Sequence, residues 1–211
     1  MEDLENYLFI DWAVDGDIIY HHPPADRGTA AMTALWYGAL QAMEKIALLI
    51  DMPHDAEQFH QLAHTVRQAF NHLLWDPVHQ AYADGIPGMS RVPVNRWLPP
   101  QDGRKICTNI GNIMALAFGL PETQHQPEKL LQRVLSGEFP VKPTIYYMDY
   151  LFMAAVRYHL PDPEKLKILS RCKPFLKDGI RESWTAGDYS HMWSASPAYW
   201  LRKKDFFTKD K

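Results

Sequence analysis

Apolar residues recur at three- and four-residue spacing through long stretches of this chain. In the first stretch, residues 29–52, they are Met32, Leu35, Trp36, Ala39, Leu40, Met43, Ile46, Ala47 and Ile50. This period predicts an α-helix with a wide apolar face. Pro53 is expected to end it, and the spacing resumes at Asp55 and continues to Trp75. Two long helices joined by a proline turn predict an antiparallel αα-hairpin.

The same spacing predicts two further hairpins and a final short helix. Their ranges are Asn109–Phe118 with Pro127–Leu135, Ile145–Tyr158 with Pro163–Leu176, and Ser196–Phe206 alone. Gly and Pro lie between the paired helices, where they favour turns. The sequence therefore predicts an all-α fold built from antiparallel helical hairpins.

Residues 76–105 interrupt the helical pattern. This segment contains five prolines and three glycines, so it is expected to form a long ordered loop. Polar and apolar residues alternate only at Ala81-Tyr82-Ala83-Asp84, so strands are expected to be minor. A helical-repeat solenoid is one interpretation of the hairpins, but a regular solenoid does not need this loop.

Composition narrows the function classes. With 211 residues and 24.4 kDa, we expect a single domain over 1–211. A net charge of -3 and a pI near 6.3 argue against a nucleic-acid partner and favour a neutral ligand. Two distant cysteines and the adjacent His21-His22 predict neither a disulfide framework nor a metal site, and no cofactor is expected. Without a signal peptide or membrane-length apolar run, the sequence as written predicts a cytoplasmic location and no membrane association.

Four segments carry a family resemblance. They are Phe-Ile-Asp-Trp at 9–12, Gly-Thr-Ala-Ala-Met at 28–32 followed by Ala-Leu-Trp-Tyr at 34–37, Ala-Phe-Asn at 69–71 with Trp-Asp at 75–76 and Tyr-Ala-Asp-Gly at 82–85, and Ser-His-Met-Trp-Ser-Ala-Ser-Pro-Ala-Tyr-Trp-Leu at 190–201. The last of these is the most specific. In this order, and across nearly the whole chain, the four segments make the sequence resemble the later part of the catalytic domain of bacterial α-L-rhamnosidases, which are six-hairpin glycosidases.

The resemblance implies an (α/α)6 toroid whose loops form a sugar pocket at one end. Inverting glycosidases use two carboxyl groups, one as general acid and one as general base. The family's acidic motif lies upstream of the segment containing Asp11, where this sequence offers no equivalent. The family's base follows a Trp that corresponds to Trp184, but Thr185 stands there instead. Glu182 or Asp188 could substitute, and we take Glu182 as the catalytic candidate.

Aromatic and hydrogen-bonding residues in the loops are the candidates for binding carbohydrate. They are Asp11, Trp12, Trp97, Trp184, His191 and Trp193. A Trp ring offers a flat apolar face to a sugar, and a carboxylate or neutral imidazole can bond a sugar hydroxyl. Alternatively, Trp12 and Trp193 are core residues, Asp11 caps a helix and Trp97 holds the loop to the body of the domain.

The number of helices predicts an incomplete ring. Six hairpins need twelve helices, whereas about seven are legible here. Half a ring leaves apolar helix faces without partners, so we expect a homodimer or association with a separately encoded first half. The leading hypothesis is a truncated or split glycoside hydrolase domain, inactive alone. The alternative is a catalytically inactive carbohydrate-binding or helical scaffold protein.

Overall fold

The computed structural model describes residues 27–86, 105–139, 145–180, 184, 192–203 and 206–207. Its helices are α1 (Ala30–Leu49), α2 (Pro53–Leu74), α3 (Asn109–Phe118), α4 (Pro127–Ser136), α5 (Met148–Arg157), α6 (Asp162–Ser170), α7 (Phe175–Asp178) and α8 (Ser196–Arg202). Four short strands, β1 (Arg27–Thr29), β2 (Trp75–Asp76), β3 (Ala81–Tyr82) and β4 (Gly85–Ile86), form the antiparallel pairs β1–β4 and β2–β3. The described part of the chain is therefore mainly helical, as predicted.

Several helix boundaries differ from the prediction, including those of α2, α6 and α8. Pro53 begins α2 instead of only ending α1, because a proline in the first turn has no N–H that the helix would need. The sixth predicted helix is divided: α6 ends at Ser170, and a turn that includes Pro174 leads into α7. The last helix ends at Arg202, and Phe206 is buried in a turn beyond it.

Side-chain caps determine where two of the long apolar helices begin. Thr29 precedes α1 and its hydroxyl accepts a hydrogen bond from the Met32 amide (3.4 Å). Thr108 does the same for α3 with the Ile110 amide (3.2 Å). Such caps satisfy amides that have no partner within the helix. Gly119, with φ of 72°, ends α3 in the left-handed conformation that glycine adopts readily.

Helices α1, α3, α5 and α8 lie side by side in that order, and we call them the inner helices. α1 contacts α3, α3 contacts α5, and α5 contacts α8, while α2 packs on α1 and α4 on α3. The Arg157 side chain donates to the Ala117 carbonyl (3.1 Å), which joins the C-terminal ends of α5 and α3. The turns Ile145–Tyr147 and Met192–Ala195, which lead into α5 and α8, also contact each other. The inner helices are therefore parallel, with their N-terminal ends on one side of the domain.

Burial differs sharply between inner helices. Nine of the ten residues of α3 are buried, because α1 and α5 cover opposite sides of it. Only six of the twenty residues of α1 are buried. No helix in the described ranges combines the length and apolarity needed to cross a bilayer.

Candidate functional site

The N-terminal ends of α1 and α3 are joined by Asp84. Its backbone carbonyl accepts from the Ala30 amide (2.8 Å), and its Oδ1 accepts from the Thr108 hydroxyl (2.9 Å) and amide (3.2 Å). Burial raises the pKa of Asp84 to about 7, while hydrogen bonds from Thr108 and Gly111 act in the opposite direction. The Tyr-Ala-Asp-Gly segment was part of the family resemblance, but sequence reasoning assigned Asp84 no role. The sequence feature that could have indicated a role for Asp84 is its position as a carboxylate directly after three apolar residues, 81–83.

A groove lies between α5 and α8 and extends along α8 from Ser196 to Lys203, the residue after its end. Its volume is about 590 Å³, and it is lined by Tyr146, Asp149, Met153, Met192, Ser196, Tyr199, Trp200 and Lys203. The groove thus combines aromatic rings, a carboxylate, a hydroxyl and an ammonium group.

Contacts within the groove hold its polar groups in place. Trp200 Nε1 donates to Asp149 Oδ1 at 2.6 Å, leaving Oδ2 of the same carboxylate for another donor. Lys203 Nζ lies 4.6 Å from the centroid of the Trp200 ring, a cation–π distance. The Ser196 hydroxyl oxygen is buried and has no hydrogen-bond partner in the part of the chain that the structure describes. A buried hydroxyl without a partner costs free energy.

The groove residues were not among the sequence candidates. Asp149 and Ser196 are distant in sequence and meet only through the packing of α5 on α8. Two signals were available: the aromatic cluster around Asp149, and the closing motif that contains Ser196. Neither signal places the two residues on the same surface.

Trp184 lies at a second cavity, not in the groove. Its ring is half-buried and stacks on Phe175, with centroids 5.6 Å apart and planes 28° apart. The second cavity, of about 480 Å³, lies between the starts of α3 and α5 and also contacts Arg171. One face of Trp184 is therefore occupied by Phe175, and its role in substrate binding stays a prediction.

The other sequence candidates lie largely outside the described residues. These are Asp11, Trp12, Trp97, Glu182 and His191, together with Thr185 and Asp188; Trp193 lies in the turn before α8, where only its backbone is described. In chain order, each of these positions falls in a segment that leads into α1, α3 or α8. Their assignments therefore remain predictions.

One cluster within the described ranges carries groups that could bind a metal ion. Asp76, His79 and Cys107 place one such atom each within 4.8 Å of one another. However, Asp76 already accepts from the His79 ring (2.6 Å) and, in an Asx-type turn, from the Val78 amide (2.9 Å). Burial raises the pKa of the Cys107 thiol to about 12, so it is protonated at neutral pH. These contacts account for Asp76 and His79 as part of the β2–β3 turn, beside which Cys107 lies.

Comparison with known proteins agrees with this architecture. The model of the family described as the bacterial alpha-L-rhamnosidase 6 hairpin glycosidase domain matches residues 2–138. The structure resembles a rhamnosidase from Klebsiella oxytoca with rhamnose bound, with a TM-score of 0.64 and 16% sequence identity over 95% of this chain and 38% of that chain. It also resembles a GH78 family rhamnosidase of Bacillus sp. GL1, with a TM-score of 0.66 and 16% identity over 92% of this chain and 20% of that chain.

Among curated proteins, none matches the sequence significantly. The solved structures share the fold with this chain, which spans well under half of their length. The parallel inner helices thus form part of an (α/α)6 toroid, as the sequence predicted. The chain belongs to the bacterial α-L-rhamnosidase six-hairpin glycosidase domain family.

Proposed function

We propose that this chain supplies a sugar-binding part of an inverting α-L-rhamnosidase-type glycoside hydrolase domain and does not hydrolyse glycosides alone. The observation that carries the proposal is the groove between α5 and α8. It brings a carboxylate and aromatic rings together between two of the inner helices. A rhamnosidase of the same fold was solved with rhamnose bound, which supports a deoxyhexose as the ligand.

The groove matches the chemistry of a sugar. Tyr199 is 59% exposed, so its ring can cover the apolar C–H face of a pyranose. Asp149 Oδ2 can accept a hydrogen bond from a sugar hydroxyl. Such charge-assisted hydrogen bonds are stronger than neutral ones, so Asp149 should contribute most of the polar affinity.

Hydrolysis requires more than this groove provides. An inverting mechanism needs two carboxyl groups about 6.5–9.5 Å apart, and Asp149 is the one carboxylate among the described groove-lining residues. By the resemblance to the family, Thr185 stands where the base would be, and a threonine hydroxyl cannot take a proton from water at neutral pH. Glu182 is our candidate for a substitute base, and the general acid would come from outside these 211 residues.

A second function is favoured by Thr185. Loss of the base with retention of the pocket would leave a catalytically inactive carbohydrate-binding or scaffold protein. The two proposals differ in what happens when the missing part of the domain is supplied. A split hydrolase would gain activity, whereas an inactive binding protein would not.

Binding and hydrolysis should be measured separately. L-Rhamnose is titrated into the chain and followed by NMR, and an aryl α-L-rhamnoside is used to detect hydrolysis. We expect binding without hydrolysis, with affinity reduced about tenfold by Asp149→Asn. Asp55→Asn is the matched control, because Asp55 also lies in the first turn of a helix but outside the groove.

Two results would contradict these proposals. Affinity for rhamnose that is equal in wild type and Asp149→Asn would show that the groove does not hold the sugar. Hydrolysis by the isolated chain that disappears in Glu182→Gln would refute inactivity and identify Glu182 as the base.

A further inference from the structure

Helix α2 carries two exposed histidines that are one helical turn apart. They are His60 and His64. Residues four apart on a helix lie on the same face, with their Cβ atoms about 5–6 Å from each other. Two imidazole rings at this spacing can bind one metal ion, as the paired histidines of helical zinc motifs do. The pair lies outside both the groove and the second cavity.

The neighbouring helix α1 supplies a carboxylate to this pair. Glu44 Oε1 lies 3.1 Å from Nδ1 of the His60 ring. Because an ionised carboxylate only accepts hydrogen bonds, Nδ1 must carry the hydrogen of this contact. In the neutral ring, Nε2 then has a free lone pair, which is the form of histidine that binds a metal ion. The contact with Glu44 therefore selects the tautomer of His60 and directs Nε2 away from α1.

This arrangement is typical of a metal-binding histidine. Such a histidine almost always donates its second ring N–H to a carboxylate, a carbonyl or a water molecule, which orients the ring. The His64 ring has no hydrogen-bond partner within the described part of the chain. It is not gathered with His60 and Glu44 in the structure, so binding requires it to rotate. Exposed side chains change rotamer rapidly, so this rotation is not a barrier.

The position of these residues leaves them accessible to solvent. Gly38 of α1 lies against Phe118, the last residue of α3. Glu44 comes six residues after Gly38, which is about 9 Å further along α1 at 1.5 Å per residue. The hairpin of α1 and α2 therefore extends beyond α3 at this point. The side chains of His60 and Glu44 are 57% and 29% exposed, so an ion can reach them from solvent.

We propose that His60 and His64 bind a divalent transition-metal ion, with Glu44 as the carboxylate that orients His60. Imidazole ligands suit Zn²⁺, Cu²⁺ and Ni²⁺, and water completes the coordination of the ion. Gln61 stands where helical zinc hydrolases carry their general base, so the site binds the ion and does not use it for hydrolysis.

The bound ion stabilises the first hairpin. Its ligands lie on α2, and the carboxylate that orients one of them lies on α1, so the ion strengthens the link between the two helices. An ion that binds only the folded protein raises the free energy of unfolding as its concentration increases. This inference does not depend on sugar binding in the groove.

Zinc titration followed by NMR of the histidine rings tests the proposal. ZnCl₂ is added to the full chain without a histidine tag, and the signals of the ring nitrogens are recorded. We expect the signals of His60 and His64 to shift together, with a single dissociation constant. The Nε2 signal of His60 should show metal binding while Nδ1 keeps its hydrogen. His54 is an exposed histidine of the same helix whose partner one turn further is Gln58, so its signals should not follow this curve.

Substitutions separate the role of each residue. Glu44→Gln should weaken zinc binding by about 10–100-fold, the usual effect of removing the partner of a metal-binding histidine. His64→Gln should weaken it at least about tenfold, because one ligand remains on α2. His54→Gln is the matched control and should leave the affinity unchanged. His79→Gln should also leave it unchanged, which distinguishes this site from the cluster that contains Asp76.

Three results would overturn the proposal. Signals of His60 and His64 that stay unchanged as ZnCl₂ is added would show that the pair does not bind the ion. Shifts with two different dissociation constants would show independent contacts at two single histidines. Equal affinity in wild type and Glu44→Gln would show that the contact between His60 and Glu44 only joins the two helices. The first two measurements use the wild-type chain, so they do not depend on whether a variant folds.

Discussion

Replacing Asp84 by Asn should make the free energy of unfolding less dependent on pH, because the contribution of Asp84 to stability decreases as the pH rises. Asp84 is buried where α1 and α3 begin, and burial raises its pKa from 3.8 to about 7. Between these two values the folded protein keeps the carboxyl proton, whereas the unfolded chain has lost it. The group therefore contributes stability that is fully present below about pH 4 and is lost as the pH rises towards 7.

The size of the effect follows from the shift. A difference of about three pKa units corresponds to about 4 kcal/mol, at 1.36 kcal/mol for each unit. Asn is neutral at every pH and has nearly the same shape, so the two proteins should have similar stability near pH 4. At pH 8 the Asn variant should be more stable, by about 4 kcal/mol at most, because it does not bury an ionised carboxylate.

Urea denaturation at intervals between about pH 4 and about pH 8 measures this difference. The informative quantity is the free energy of unfolding of wild type minus that of Asp84→Asn, because the pH dependence of all other groups cancels. A difference that does not change with pH would refute the reasoning. It would mean that donors such as the Thr108 hydroxyl keep Asp84 ionised throughout the range.

Three further substitutions test the packing and the caps, each by urea denaturation. Gly38→Ala should destabilise the protein by about 1–3 kcal/mol, because the added methyl group would overlap an aromatic ring of α3; a neutral result would show that the ring can move aside. Lys165→Met should cost about 1.5–3 kcal/mol, since it removes the hydrogen bond from the buried ammonium to the Phe206 carbonyl (2.5 Å), while Lys167→Met at an exposed position should cost little. Thr108→Val should cost about 1–2 kcal/mol through loss of the cap of α3, and a cost below about 0.5 kcal/mol would argue that water replaces the cap.

The helices were predictable because their signals are local. The bounds of α3 match the prediction at both residues, since Thr108 caps one end and Gly119 terminates the other. The turn that includes Pro174 was missed because the apolar spacing continues through it, so periodicity alone does not reveal the break. Local patterns therefore predicted the presence of each element more accurately than they predicted its ends.

The groove was much less predictable. Asp149 and Ser196 belong to different helices, and neither has an unusual neighbour in sequence that indicates a shared surface. Their proximity comes from the packing of α5 on α8, which hydrophobic periodicity does not specify. The raised pKa of Asp84 likewise depends on burial by segments distant in sequence. Motif comparison pointed instead to loop residues, of which Trp184 is the one whose side chain the structure describes.

Gly38 and Gly111 have a consequence for how such domains diversify. A Cβ atom at Gly111 would lie 2.7 Å from Asp84 Oδ1 and 3.2 Å from the Ala30 side chain, and one at Gly38 would overlap the Phe118 ring. At both ends of the contact between α1 and α3, a glycine thus leaves no room for an additional methyl group. A larger residue at either position would require these neighbouring groups or the helices themselves to move. Sequence variation should therefore be tolerated in the connecting loops more readily than at these two glycines.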